Sequence, residues 1–248
     1  MIKIFATTLG ETGGNAVTQT LGFGYMIGTA IFGALLIVTV GAQIRAHKFH
    51  PFLYWTAITA TTLAGTAMAD FVDRSLGIGY FGGSLLLFTL VMATLALWRW
   101  SLGSVAVETV ATPKAESFYW ATIMFSQTLG TALGDWMADS TGLGYNSSAL
   151  VIAGALAVIA ALYFFANVSH TLLFWAAFIL TRPLGATTAN SLDKPVANGG
   201  LALNDITASA VLAVVMVVCL FLIPQRAAGS STQEEVESDR ARNLRRRT

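Results

Sequence analysis

The sequence predicts an all-α integral membrane protein: eight transmembrane helices forming four parallel two-helix repeats, in two pseudo-symmetric halves, with both termini cytoplasmic. The first observation is composition. Of 248 residues, 55% are apolar and only 11% are charged, against roughly 25% charged in a soluble domain. The second is length, since spans of about 20 apolar residues each leave room for eight helices with short connections. The third is repetition. A central glycine followed five positions later by a polar residue occurs four times, as Gly10 and Asn15, Gly65 and Asp70, Gly130 and Asp135, Gly185 and Asn190.

Runs near span length place the helices at about 2–21, 25–44, 52–72, 79–98, 118–138, 148–166, 171–191 and 202–223. The first carries Lys3, Glu11, Asn15 and Gln19, so the repeat register identifies it rather than its hydropathy. The same polar residues break the apolar stretch that a signal peptide would need. The third, fifth and seventh helices open on Trp55, Trp120 and Trp175, each ten residues before its glycine. These tryptophans read as an interfacial aromatic belt or as a cytoplasmic gate. The even helices, such as the stretches 84–97 and 149–165, are almost wholly apolar and read as the lipid-facing scaffold. The first three repeats close on Gly-x-Gly-Tyr, at 22–25, 77–80 and 142–145.

Gly10 and Gly65 are 55 residues apart, as are Gly130 and Gly185, whereas Gly65 and Gly130 are 65 apart. The chain therefore divides into a first half (1–98), a cytoplasmic connection (99–117) containing Pro113 and Lys114, and a second half (118–224). Each repeat holds two helices, so all four enter the membrane in one direction, about an axis along its normal. Lys3, Arg45, Lys48, Arg99, Lys114 and Arg226 fall on one side with the arginines of the C-terminal stretch, leaving only Arg74 and Lys194 opposite. The excess of positive charge assigns the first side to the cytoplasm. Residues 225–248 lack apolar periodicity and read as a disordered cytoplasmic tail.

An ionisable group inside a span costs roughly 2.5–3.5 kcal/mol on insertion scales, so Glu11, Asp70, Asp135 and Arg182 need a reason. Helical spacing sets Glu11 one turn below Asn15, Thr66 below Asp70 and Thr131 below Asp135. If the odd helices gather around the repeat axis, the outer layer is Asn15, Asp70, Asp135 and Asn190, and the inner is Glu11, Thr66 and Thr131. Oxygen-only surroundings suit a hard cation such as Mn²⁺, Mg²⁺ or Ca²⁺, or protons, with Glu11, Asp70 and Asp135 as the metal ligands. Arg182, beside Pro183, either neutralises Glu11 or Asp135 when the site is empty, binds an anionic substrate, or fixes the seventh helix by an ion pair. Asp73, Arg74, Asp139, Asp193 and Lys194 read as solvated helix ends at the mouth. His47, His50 and His170 lie in connections and Cys219 stands alone, which gives no zinc or copper set.

No cofactor loop, nucleic-acid motif or nucleophile with an adjacent base is present, so an enzyme is not expected. The expected function is transport of a hard cation, coupled to protons, with the lipid bilayer and a small cation or proton as partners. A channel using the same ring as a filter, and a non-transporting assembly protein whose polar layers fix helix register, are the alternatives.

The segments KIFATTLGET, FYWATIMFSQTLGTALGDW and FWAAFILTRPLGATTANSLDKP resemble a bacterial family of uncharacterised integral membrane proteins with four tandem two-helix repeats, each with a characteristic tryptophan. The resemblance runs from Lys3 to about Phe221 and implies that topology, in the bacterial cytoplasmic membrane. Two features depart from the family pattern. The first repeat lacks the Phe-Trp that would precede Lys3, and Asn15 and Asn190 stand where the family usually has Asp, which halves the motif carboxylates.

Overall fold

The computed structural model describes residues 2–46, 50–110, 112–196 and 200–223. The described residues form eight α-helices and no strand: α1 (Ile2–Asn15), α2 (Gly24–Arg45), α3 (Pro51–Asp70), α4 (Gly79–Leu102), α5 (Pro113–Asp135), α6 (Gly144–Phe165), α7 (His170–Asp193) and α8 (Asp205–Leu222). Five of them, α2, α4, α6, α7 and α8, are long and apolar enough to cross a membrane. The helices α1, α3 and α5 carry the threonines and acids of the repeat, and bury most of them against one another. The expected tail, 225–248, lies outside the described residues.

The odd helices form a closed ring, with α1 against α3, α3 against α5, α5 against α7, and α7 back against α1. Each even helix packs on the odd helix of the following repeat: α2 on α3, α4 on α5, α6 on α7, and α8 on α1. Every repeat therefore completes its neighbour, and the last completes the first.

The repeated glycine sets this geometry by allowing backbones to approach closely. A Cβ on Gly10 would lie 2.1 Å from Thr62 Oγ1, one on Gly130 2.1 Å from Arg182 Cγ, and one on Gly185 2.2 Å from Thr7 Oγ1. On Gly65 it would lie 3.0 Å from the Thr128 backbone nitrogen and 3.1 Å from Gln127 Cβ. Each glycine thus meets the residues just ahead of the next repeat's glycine, and Gly185 meets the first repeat.

After the polar residue five positions beyond the glycine, three repeats pass through one π-helical turn, at Ala16–Thr20, Phe71–Ser75 and Trp136–Ser140. Each then reverses on two glycines in the left-handed region, Gly22 and Gly24, Gly77 and Gly79, Gly142 and Gly144, with φ between 70° and 78°. Only glycine takes that conformation without strain, which accounts for the Gly-x-Gly motif. The fourth repeat does otherwise. There α7 stays α-helical to Asp193, and the chain folds back so that the backbone N–H groups of Leu201, Ala202 and Leu203 donate to the carbonyls of Ser191, Lys194 and Leu192.

The connection between the halves is shorter than the sequence spacing indicates. Gly103, at φ 75°, stops α4 after Leu102, and α5 starts at Pro113, with Thr112 Oγ1 accepting from the Ala115 N–H at 3.2 Å. Proline is favoured at the first helical position because its missing N–H would have had no partner there. Pro113 and Lys114 therefore begin a helix rather than interrupt a loop.

Gly10→Ala and Gly185→Ala should each lower stability in detergent by about 1–3 kcal/mol or more, the range for overpacking a filled interior. Gly154→Ala, on α6 with nothing within 4 Å of an added Cβ, should be neutral or gain up to about 1 kcal/mol of helix propensity. Thermal unfolding of the three variants side by side checks this, and equal effects would contradict the close-packed ring.

Candidate functional site

Arg182 is fully buried, and its guanidinium reaches every other helix of the ring. Nη1 donates to the Thr7 carbonyl at 2.8 Å, Nε to the Gln127 carbonyl at 3.3 Å and Nη2 to the Thr62 carbonyl at 3.4 Å. Thr7, Thr62 and Gln127 each stand three residues before their own central glycine, as Arg182 does before Gly185. The fourth repeat therefore donates, through its side chain, to the backbones of its three counterparts.

The same guanidinium meets the next layer out. Nη2 lies 2.9 Å from Glu11 Oε2 and 2.7 Å from Thr131 Oγ1, and it also contacts Thr66 Oγ1. Thr66 and Thr131 are in turn 3.1 and 3.3 Å from Glu11 Oε2. Glu11 is 2% exposed, so its charge and that of Arg182 are balanced by each other and by the oxygens around them. Of the expected roles for Arg182, the geometry brings it to Glu11.

The outer layer is gathered by a residue that helix-end reasoning assigned to solvent. Arg74 Nε is 3.0 Å from Asp70 Oδ1, and its Nη2 is 3.5 Å from Asp135 Oδ2. Its Nη1 donates to Tyr25 Oη at 3.1 Å, and its side chain remains 32% exposed. Asn190 Nδ2 donates to Asp135 Oδ1 at 3.2 Å, whereas Asn15 Oδ1 accepts from Gln19 at 2.8 Å. The signal for Arg74 was available in the sequence: it follows Asp70 by four residues, the spacing of a same-face helical pair.

Glu11, Asp70 and Asp135 are thus each engaged by an arginine. Among the described residues no group of three or more His, Cys, Asp or Glu side chains is disposed to hold a metal ion. The oxygens that do converge are one carboxylate, two hydroxyls and three backbone carbonyls around Arg182, and two carboxylates and the Tyr25 hydroxyl around Arg74.

On the side of Arg182 away from Asp70 and Asp135 the ring carries a cluster of aromatics. Trp120 and Trp175 are buried, Trp55 is half-buried, and Tyr54 and Tyr119 share a hydrogen bond at 2.8 Å. Trp98, on α4, packs edge-on against Tyr119 and Trp175, and Trp175 Nε1 donates to the Val105 carbonyl at 2.9 Å. Trp98 has no counterpart in the repeat pattern and was not singled out by it. Lys3 also lies at this level. Its ammonium donates to the Phe178 carbonyl at 2.7 Å and sits over the Phe178 ring. Gln127, whose carbonyl serves Arg182, keeps its buried side-chain amide without a partner among the described residues.

Fold and site together define an all-helical bundle of the membrane-crossing kind, with a fourfold internal repeat and a polar axis. The chain belongs to the family described as Repeat of Unknown Function (DUF347), whose model matches residues 1–49, 53–103, 118–169 and 173–224. No curated protein and no solved structure matches it.

Breaking the axial pair from one side leaves a buried charge alone, which costs about 3–5 kcal/mol. Arg182→Met and Glu11→Leu should each destabilise by that order. Their combination should lose markedly less than the sum, because replacing both partners by apolar groups removes the uncompensated charge. A double-mutant cycle on unfolding in detergent measures the coupling, and strict additivity would show that the pair is not the energetic unit.

Proposed function

We propose that the chain is a small eight-span transporter of the bacterial cytoplasmic membrane, with both termini cytoplasmic, moving a hard cation in exchange for protons. The observation that carries this reading is the stacking of intramembrane acids at two levels of one closed ring, Asp70 with Asp135 outside and Glu11 within. Ionisable residues inside a membrane are costly, and where they occur they mark ion pathways and proton relays. Arg74 and Arg182 act as resident counter-ions in this reading, paired with the acids until a cation takes their place. The outer pair, Asp70 and Asp135, is the first loading point, since Arg74 reaches solvent and Arg182 does not. A guanidinium lying across the axis favours a carrier over an open pore.

A second reading rests on a separate observation. Arg182 is bonded to all three other ring helices and has no exposed surface, which favours a structural clasp in a protein that assembles rather than transports. Flux separates the two. Asp70→Asn and Asp135→Asn should each reduce cation uptake into proteoliposomes by roughly tenfold, the equivalent of about 1.4 kcal/mol of lost binding, with the fold retained. Glu11→Gln should flatten the pH dependence of uptake while leaving part of it. Wild-type uptake and pH profile in all three variants would leave only the structural reading.

The topology has its own check. In a Cys219→Ser background, cysteines at Ser104 and Ser147 should react with an impermeant reagent from opposite sides of the membrane. Labelling of both from one side would sink the eight-span arrangement.

A further inference from the structure

The acceptors around Arg182 carry more information than the ion pair alone. Three of the four repeats present a backbone carbonyl at one level, from Thr7, Thr62 and Gln127. Two of them add a hydroxyl at the next level, from Thr66 and Thr131, and the first adds the Glu11 carboxylate. These oxygens surround a planar group with N–H donors at its edge, and they carry one negative charge in total. One carboxylate balances one positive charge; a divalent ion here would leave a charge uncompensated in a dry interior. Hydroxyl and carbonyl oxygens set to receive N–H groups match a guanidinium, which offers five donors in one plane.

The stem of Arg182 does not belong to that oxygen set. It runs over Gly130, where an added Cβ would meet Arg182 Cβ at 2.4 Å and Cγ at 2.1 Å. The glycine makes room for the tether, and the oxygens hold the head.

We infer that the axis of the ring is a binding site for a monovalent guanidinium-type cation, built by three repeats and filled in cis by the side chain of the fourth. The inference refines the transport reading at its inner level. The divalent chemistry of that reading is confined to Asp70 and Asp135, where two carboxylates stand together, and the axial level takes a single charge. It also explains why only one repeat has an arginine three residues before its glycine: a second would compete for the same oxygens.

The test is chemical rescue. Arg182→Ala removes stem and head and leaves the oxygens of the other three repeats in place. Guanidinium chloride at concentrations far below those that denature should raise the thermal midpoint of this variant in detergent along a saturating curve. Wild-type protein, whose site is filled, should not respond, and neither should the doubly substituted Glu11→Gln, Arg182→Ala protein. Urea, planar but uncharged, and magnesium chloride, charged but divalent, should not reproduce the effect. Arg182→Gln, whose shorter amide keeps the helices spaced, is read in parallel in case the alanine variant folds poorly.

Folding of either variant only in the presence of guanidinium would itself be rescue. An equal response in wild type, an equal response without Glu11, stabilisation by magnesium to the same degree, or failure of both variants to fold or respond with guanidinium present would overturn the assignment. The readout is binding, so a protein that moves no cation still reports on the site. Loss of uptake with rescue intact would count against transport alone.

Discussion

A guanidinium shut away from water must find an acceptor for its N–H groups and a counter-charge for itself, because an unpaired buried ion is among the most costly features a fold can contain. In this protein one such group, Arg182, draws its acceptors from all three of the other ring helices. The rest of the bundle follows from that demand. Carbonyls of three helices can converge on one head group only if the backbones are close, and the central glycines provide the closeness. Glu11 must then be within reach, as it is at 2.9 Å, and Thr66 and Thr131 must be small and hydroxylated. The even helices, exposed along most of their length, hold each odd helix from the next repeat and add single side chains to the site, Tyr25 of α2 beside Arg74 and Trp98 of α4 among the aromatics.

Much of this was legible in the sequence, because it depends on register. The four glycines, the polar residue five positions on, and the layer containing Glu11, Thr66 and Thr131 are periodic facts, and the ring brings that layer together around Arg182. Other features were not legible, for identifiable reasons. Hydropathy alone marks α2, α4, α6, α7 and α8; α1 has only 14 residues before its π turn, and α3 and α5 bury polar residues against their neighbours, so it was the repeat register that made the first helix legible. The π turns leave no trace in composition. They add a residue to one turn, and their effect is to rotate the chain before the paired glycines.

The aromatic end shows a different limit. Spacing located Trp55, Trp120 and Trp175 at one end of the ring, but the depth of a residue along a helix does not say which way its side chain faces. Trp120 and Trp175 are turned inward, and Trp98 joins them from an even helix whose sequence gave no reason to expect it. Trp100, by contrast, two residues on along the same helix, is 84% exposed. Arg74 was misjudged for a related reason. A charge at a helix end reads as solvated unless its partner four residues back is itself buried, as Asp70 is.

The departures of the fourth repeat coincide. It alone has an arginine at the axial level, has alanine where the others have Glu11, Thr66 or Thr131, keeps α7 α-helical where the others turn through a π segment, and lacks Gly-x-Gly-Tyr. A ring of four identical repeats would set four equal side chains on its axis, and four like charges there would repel. Supplying the charge once, from one repeat, and answering it with one carboxylate from the neighbour across the closing interface of α7 with α1 removes that conflict. It also ties the last repeat to the first, the contact that closes the ring and that no short connection in the chain enforces. The asymmetry is therefore the condition under which a charged axis and a fourfold repeat can share one fold. Arg74 repeats the solution one level out, bridging Asp70 of the second repeat to Asp135 of the third. The two arginines differ in access: Arg182 has no exposed surface, whereas the Arg74 side chain is 32% exposed, so one pair is sealed inside the ring and the other stands at its solvent-reached end.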